Sequence, residues 1–184
     1  VESFQIAVRL KDEFQEDVLS IREYRGQVSV IIKKDNVFNI CKFLHDEPDM
    51  SFDYLVDLCG VDNLRHPERK ADTPRFEVVY HLYSHKYKYF LRLKALVPEE
   101  DCTIDSVVPI WAGANWHERE CLDMFGIVFK GHPDPRRILM PEDWEGYPLR
   151  KDYPTKGPAP ENEWKGFKEV LDTAKRNKEF EWER

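Results

Sequence analysis

An α+β fold in two layers is what this sequence predicts: a mainly antiparallel sheet with helices packed on one face, then an extended proline- and glycine-rich strap and a C-terminal helix. Three observations predict it. Residues 89–97 alternate cleanly, with Tyr89, Leu91, Leu93, Ala95 and Val97 on one side and Arg92 and Lys94 on the other, the mark of a sheet with one wet face. Val37, Ile40, Cys41 and Leu44 recur instead at helical spacing. Residues 131–160 are too dense in proline and glycine for regular structure, yet Trp144, Tyr147 and Tyr153 make them too aromatic for an indifferent linker.

Taken in order, residues 2–18 read as a helix, with Phe4, Ala7, Val8 and Phe14 loosely periodic. Strand-like runs at 19–24 and 28–33 flank Arg25-Gly26-Gln27, a hairpin turn. Asp35 is placed to cap the helix of the Val37 stripe, and Pro48 closes it off. Over 52–60 the apolar side is Phe52, Tyr54, Val56 and Leu58, with Leu55 and Cys59 blurring the alternation. Phe76, Val78, Tyr80 and Leu82 form one face of the next strand. The connection 83–88 is short enough for an antiparallel hairpin, whereas 62–74 is a long polar loop. From 105 to 125 the pattern turns helical, with a break at Gly113, and Gly126 is well placed to end it. A last amphipathic helix is expected over 162–175, with Trp164, Phe167, Val170, Leu171 and Ala174 on one side. The chain thus divides into an α+β core, residues 1–130, and a strap with its helix, residues 131–184.

Composition excludes several classes. The 184 residues are 41% hydrophobic and 34% charged, a balance that supports one folded core. A net charge of −7 weighs against phosphate recognition, so no nucleic acid partner is expected, and against adhesion to anionic lipid. No apolar run approaches the ~20 residues that cross a bilayer. The best, 55–61, is broken by Asp57 and Gly60. No basic segment followed by an apolar stretch marks a secretory signal. Cys41, Cys59, Cys102 and Cys121 contain no CxxC and read as reduced thiols, Cys41 and Cys121 lying on apolar stripes.

The densest cluster is His117-Glu118-Arg119-Glu120-Cys121. On a helix His117 and Cys121 are neighbours one turn apart, and His132 could supply a third metal ligand. No second pair has zinc-like spacing, so Cys121 reads better as core, and clustered thiolates for iron–sulfur binding are missing. Glu118 shares its stripe with Cys121, Leu122 and Phe125, and a carboxylate pointing there needs a partner; Arg136 and Arg137 are the expected ones. Arg119 and Asp123 can pair on the exposed side. Glu118 or Glu120 as a general acid or base is the weaker reading, since no nucleophile motif, phosphate loop or GxGxxG lies nearby. In the strap, Trp144, Tyr147, Arg150, Lys151, Asp152 and Tyr153 combine aromatics with charge on a stiff backbone, as interfaces do, although a strap can equally cover its own core.

The run ERECLDMFGIVFKGHPDPRRILMPEDWEGYPLRKDYP, residues 118–154, closely resembles the signature of the thirty-kilodalton subunit family of respiratory complex I. Glu118, Arg119, Glu120, Asp123, His132, Arg136, Ile138 and Leu139 stand at the family's spacings; Leu122, Pro135 and Tyr147 depart from its usual aromatic, leucine and histidine. Weaker similarity extends over residues 30–155. The resemblance implies a non-catalytic subunit in the peripheral arm of a membrane-bound NADH:quinone oxidoreductase, on the cytoplasmic or matrix side. It implies no cofactor in this chain, with FMN and iron–sulfur clusters in other subunits carrying electrons to quinone, coupled to proton translocation. The implied partners are the other complex I subunits, above all the large quinone-site subunit of the forty-nine-kilodalton type, docked on the strap. Similar subunits occur in membrane-bound hydrogenases and in ferredoxin- or deazaflavin-driven complexes, the alternative reading; a metalloenzyme using His117, Cys121 and His132 is the remote one.

Overall fold

The computed structural model describes residues 3–67, 73–155 and 165–178. The first helix, α1 (Ser3–Glu13), is shorter than the expected 2–18, because Val18 already begins a strand. That strand, β1 (Val18–Tyr24), turns through Arg25 and Gly26, at φ 53° and 74°, into β2 (Gln27–Lys33). Two consecutive positive φ values give the twist a two-residue hairpin needs, and the glycine takes its share without strain. Helix α2 (Val37–Asp46) follows a 3-10 turn at Lys34–Asn36 and starts from Asn36 with no side-chain cap, so the expected capping by Asp35 is not made.

Three long strands follow: β3 (Tyr54–Asp62), β4 (Phe76–Tyr83) and β5 (Phe90–Val97). In β4 and β5 the expected faces are the buried ones, including Val78, Tyr80, Leu91 and Leu93. In β3 this holds only in part. Leu55 and Leu58 are buried while Tyr54 and Val56 are exposed, because a bulge between Leu55 and Asp57 inserts one residue and flips the alternation. The sheet order is β1-β2-β5-β4-β3, antiparallel except where β2 and β5 run parallel. Apolar residues of α1 and α2, among them Ile6, Leu10, Ile40 and Leu44, join one cluster with the strands' buried face.

The expected helix over 105–125 is only half helix. Residues Thr103–Asp105 form β6, turns follow, and α3 runs from Ala114 to Phe125. Pro109 disfavours helical backbone before it, and the Val107 N–H is taken by a side chain of α3. Gly126 ends α3 in the left-handed conformation, as expected. Beyond it β7 (Val128–Lys130) pairs parallel with β6, a small sheet that no pattern announced. The terminal helix α4 is described over Lys165–Lys178, and its Val170 is exposed. Trp164 and the side chains of Phe167 and Leu171 lie outside the described residues. No helix among the described residues is long and apolar enough to cross a membrane.

Candidate functional site

Helix α3 aims two acidic side chains inward and holds the described part of the strap, residues 131–155, in place. Glu118 is 1% exposed. Its Oε1 accepts the Val107 N–H at 2.7 Å, and the Ser106 hydroxyl also bonds to the carboxyl. Its Oε2, like the nearby buried Tyr80 hydroxyl, has no hydrogen-bond partner among the described residues. Burial pushes this carboxyl up to about 7, with the two bonds offsetting only part of the effect. Burial likewise raises the Cys41 and Cys121 thiols, so these two are inert core thiols. The expected pairing of Glu118 with Arg136 or Arg137 does not form: Glu118 turns into the domain core, and both arginines serve elsewhere.

Arg137 serves Asp123. Asp123 is fully buried, and its Oδ1 receives Arg137 Nη1 at 2.6 Å. Its Oδ2 accepts three successive backbone N–H groups, from Ile138 at 3.0 Å, Leu139 at 2.7 Å and Met140 at 2.8 Å. Burial alone would raise this carboxyl, but the three N–H donors and the guanidinium hold it below the usual range. The expected Arg119–Asp123 pair is therefore replaced. Arg119 reaches the carbonyls of Arg136 (3.0 Å) and Arg137 (3.2 Å) and stacks on Trp116, while Arg136 pairs with Asp134. Glu120 is exposed.

The three metal-ligand candidates are not brought together. His132 Nε2 lies 3.1 Å from the Asn115 carbonyl and its Nδ1 accepts the Asp134 N–H at 2.9 Å, so both ring nitrogens staple the turn to α3. His117 sits 3.5 Å from Asp57, and Cys121 is buried. Among the described residues no three His, Cys, Asp or Glu side chains form a metal-holding group.

The strap is fastened twice more. Arg150 Nε donates to the Phe125 carbonyl at 2.7 Å, and its guanidinium lies over the rings of Phe76 and Tyr147. Tyr147 lies on Gly126, where a Cβ would meet the ring at 2.5 Å; with φ at +73°, only glycine suits both demands. Farther on, Asp152 forms a two-point pair with Arg75 at 2.6 and 3.0 Å. Arg75 in turn grips buried Asp62 and reaches Glu99, and Asp62 accepts the Lys151 N–H at 2.8 Å. Tyr153 bonds to the Glu145 carbonyl, and Trp144 is half-buried. The side chains of Tyr147, Arg150, Asp152 and Tyr153 thus hold the strap in shape, while Trp116, Leu139 and Leu149 stand exposed on α3 and the strap. Asp62 and Arg75 are not singled out by the sequence. They lie far from the strap in the chain, and nothing local marks them as its anchor.

Residues 30–159 match the family model of the respiratory-chain NADH dehydrogenase 30 Kd subunit. The C subunit of the NADH-quinone oxidoreductase of Geotalea uraniireducens is 46% identical over 157 residues, covering 85% of this chain and 91% of its own length. The corresponding C subunit of Roseiflexus sp. is 47% identical over 146 residues, covering 79% and 80%. Among solved structures, the trypsin-resistant fragment of Nqo5 superposes with a TM-score of 0.61 at 30% identity, over 72% of this chain and 98% of that one. A chain of an archaeal membrane-bound sulfane sulfur reductase reaches a TM-score of 0.63 at 19% identity, over 82% and 84%, a likeness of fold alone.

Proposed function

The chain belongs to the family of the respiratory-chain NADH dehydrogenase 30 Kd subunit, and on that premise we propose that it is a non-catalytic scaffold of the peripheral arm of a membrane-bound NADH:quinone oxidoreductase. In this reading FMN and iron–sulfur centres in other subunits pass electrons from NADH to quinone, coupled to proton translocation, and the isolated chain has no activity. The core of residues 1–130 carries the arm of residues 131–184 against partner subunits, chiefly the large quinone-site subunit, on the cytoplasmic or matrix side of the membrane.

The observation that carries this reading is how the acidic and basic motif residues are used. Asp123, Arg137, Arg150 and Asp152 are engaged in fixing the strap to the domain, and large apolar groups at Trp116, Leu139 and Leu149 are left outward. A strap stiffened in advance loses little entropy on docking, and aromatic or aliphatic anchors supply most of an interface's binding energy.

The test is isolation of the complex in mild detergent through a tag on this chain, with subunits identified by mass spectrometry and NADH:quinone activity assayed. Flavin, iron–sulfur and membrane subunits with that activity are expected. Hydrogenase subunits in their place would keep the scaffold and change the reaction; a lone active chain would overturn the reading.

A further inference from the structure

The sheet has a second face that the described residues of the strap do not line. Opposite α1 and α2, over β1, β2, β5 and β4, lies a groove of about 630 Å³ lined by Arg22, Tyr24, Ile31, Arg92, Lys94 and Leu96, among others. Among the described residues that line this groove, on a chain with net charge −7, Arg22, Arg92 and Lys94 outnumber the carboxylate Glu77, which Lys94 contacts at 3.3 Å, and Asp57 stands beside it, 3.6 Å from His81.

Arg92 is the group that points to a ligand. Its hydrogen bonds among the described residues go to neutral acceptors: Nε to His81 Nε2 at 2.8 Å, Nη2 to Gln27 Oε1 at 2.9 Å and Nη1 to the Ser29 hydroxyl at 3.5 Å. Burial, and then the neighbouring Arg92, lower the pKa of His81 against the opposing pull of Asp57 at 3.6 Å. These contacts orient the guanidinium without neutralising it. A planar guanidinium held in this way, part-buried beside aliphatic side chains, is suited to two-point pairing with a carboxylate.

We infer that this groove receives an acidic segment of a partner polypeptide, one that brings a carboxylate to Arg92 and apolar side chains to Ile31 and Leu96. The proposal rests on the chain being a subunit of a larger assembly. A polypeptide fits better than its rivals. Three cations are few for a nucleic acid, which presents a phosphate about every 1.7 Å of duplex, and the chain's overall negative charge opposes an anionic bilayer.

The experiment uses the assembled complex. Tyr24, 70% exposed at the groove, is replaced by a photoreactive analogue (Tyr24→p-benzoylphenylalanine). The detergent-isolated complex is irradiated and the adduct sequenced. The expected adduct is a segment of another subunit with Asp or Glu within a few residues of the attachment point. An adduct to lipid or nucleic acid, a segment without carboxylates, or no adduct from an intact complex would each overturn the proposal. A chain that isolates without any partner would overturn it together with the assembly reading. In parallel, Arg22→Glu with Lys94→Glu is expected to make the chain dissociate about tenfold more readily as NaCl is raised, whereas Arg22→Lys retains it. Unchanged retention of the double variant would also contradict the proposal.

Discussion

The two ends of α3 each bury a carboxylate and treat it in opposite ways. Glu118, near the start, faces the apolar core with two donors and one oxygen unmatched, and burial drives it toward its neutral form. Asp123, near the end, faces the strap with a guanidinium and three backbone N–H groups, and stays ionised. Both are essentially without solvent. The number of donors, not burial, decides the protonation state. The core end of the helix is thus strengthened by protons, and the strap end by charge.

Removing the better-satisfied group should have the largest effect. Asp123→Ala strands Arg137 and three N–H groups, and a loss of about 3–5 kcal/mol is expected in urea denaturation at neutral pH. Amide exchange should show the 138–140 backbone deprotected. A loss below ~1 kcal/mol, within the reach of an exposed ion pair, would show that Asp123 is not what holds the strap.

The pH dependence sharpens the comparison. Glu118 binds its proton more tightly folded than unfolded, so its contribution is full below its ordinary value of 4.5 and is lost as pH rises to about 7. That window should cost about 3 kcal/mol of stability, and Glu118→Gln should abolish the loss. Asp123 has the opposite sign: its stabilisation is present above the ordinary carboxylate range and disappears as pH falls through its lowered pKa. His81, with its lowered pKa, adds stability as pH rises through its own window, so the quantity to read is the difference between the wild-type and Glu118→Gln curves. Identical curves would place the titration elsewhere.

A smaller effect is expected at the helix end. Gly126→Ala meets the Tyr147 ring and a positive φ, for a cost of about 2 kcal/mol seen in thermal melting. Smallest is Lys151→Ala, which should stay within ~0.5 kcal/mol: its side chain is exposed and its backbone N–H makes the bond to Asp62. Adding Arg150→Ala to Lys151→Ala should lower the melting temperature, because Arg150 contacts Phe125, Phe76 and Tyr147.

How far the sequence reveals the structure depends on how local each signal is. The faces of β4 and β5 and the stripe of α2 are legible, because period alone dictates them. The bulge in β3 leaves Leu58 buried as expected but buries Leu55 in place of Tyr54 and Val56, and nothing but pairing with β4 reveals a bulge. The motif residues stand out, yet their partners do not. Arg137 reaches Asp123 rather than Glu118 because the strap folds back along the C-terminal end of the helix, and Asp62 and Arg75 are invisible as anchors for Asp152 and Lys151. Ion pairs between distant segments leave no periodicity behind them.

The most direct measurement uses exposed positions, so that folding is not in question. Leu139→Ser with Leu149→Ser, at side chains 57% and 47% exposed, is placed in the tagged chain, and the complex is recovered in mild detergent beside a thermal melt of the isolated variant. A scaffold docked through these groups predicts an unchanged melting temperature, with the partner subunits and NADH:quinone activity largely lost from the eluate. Full recovery of both would contradict it, and docking would then have to be sought on another surface.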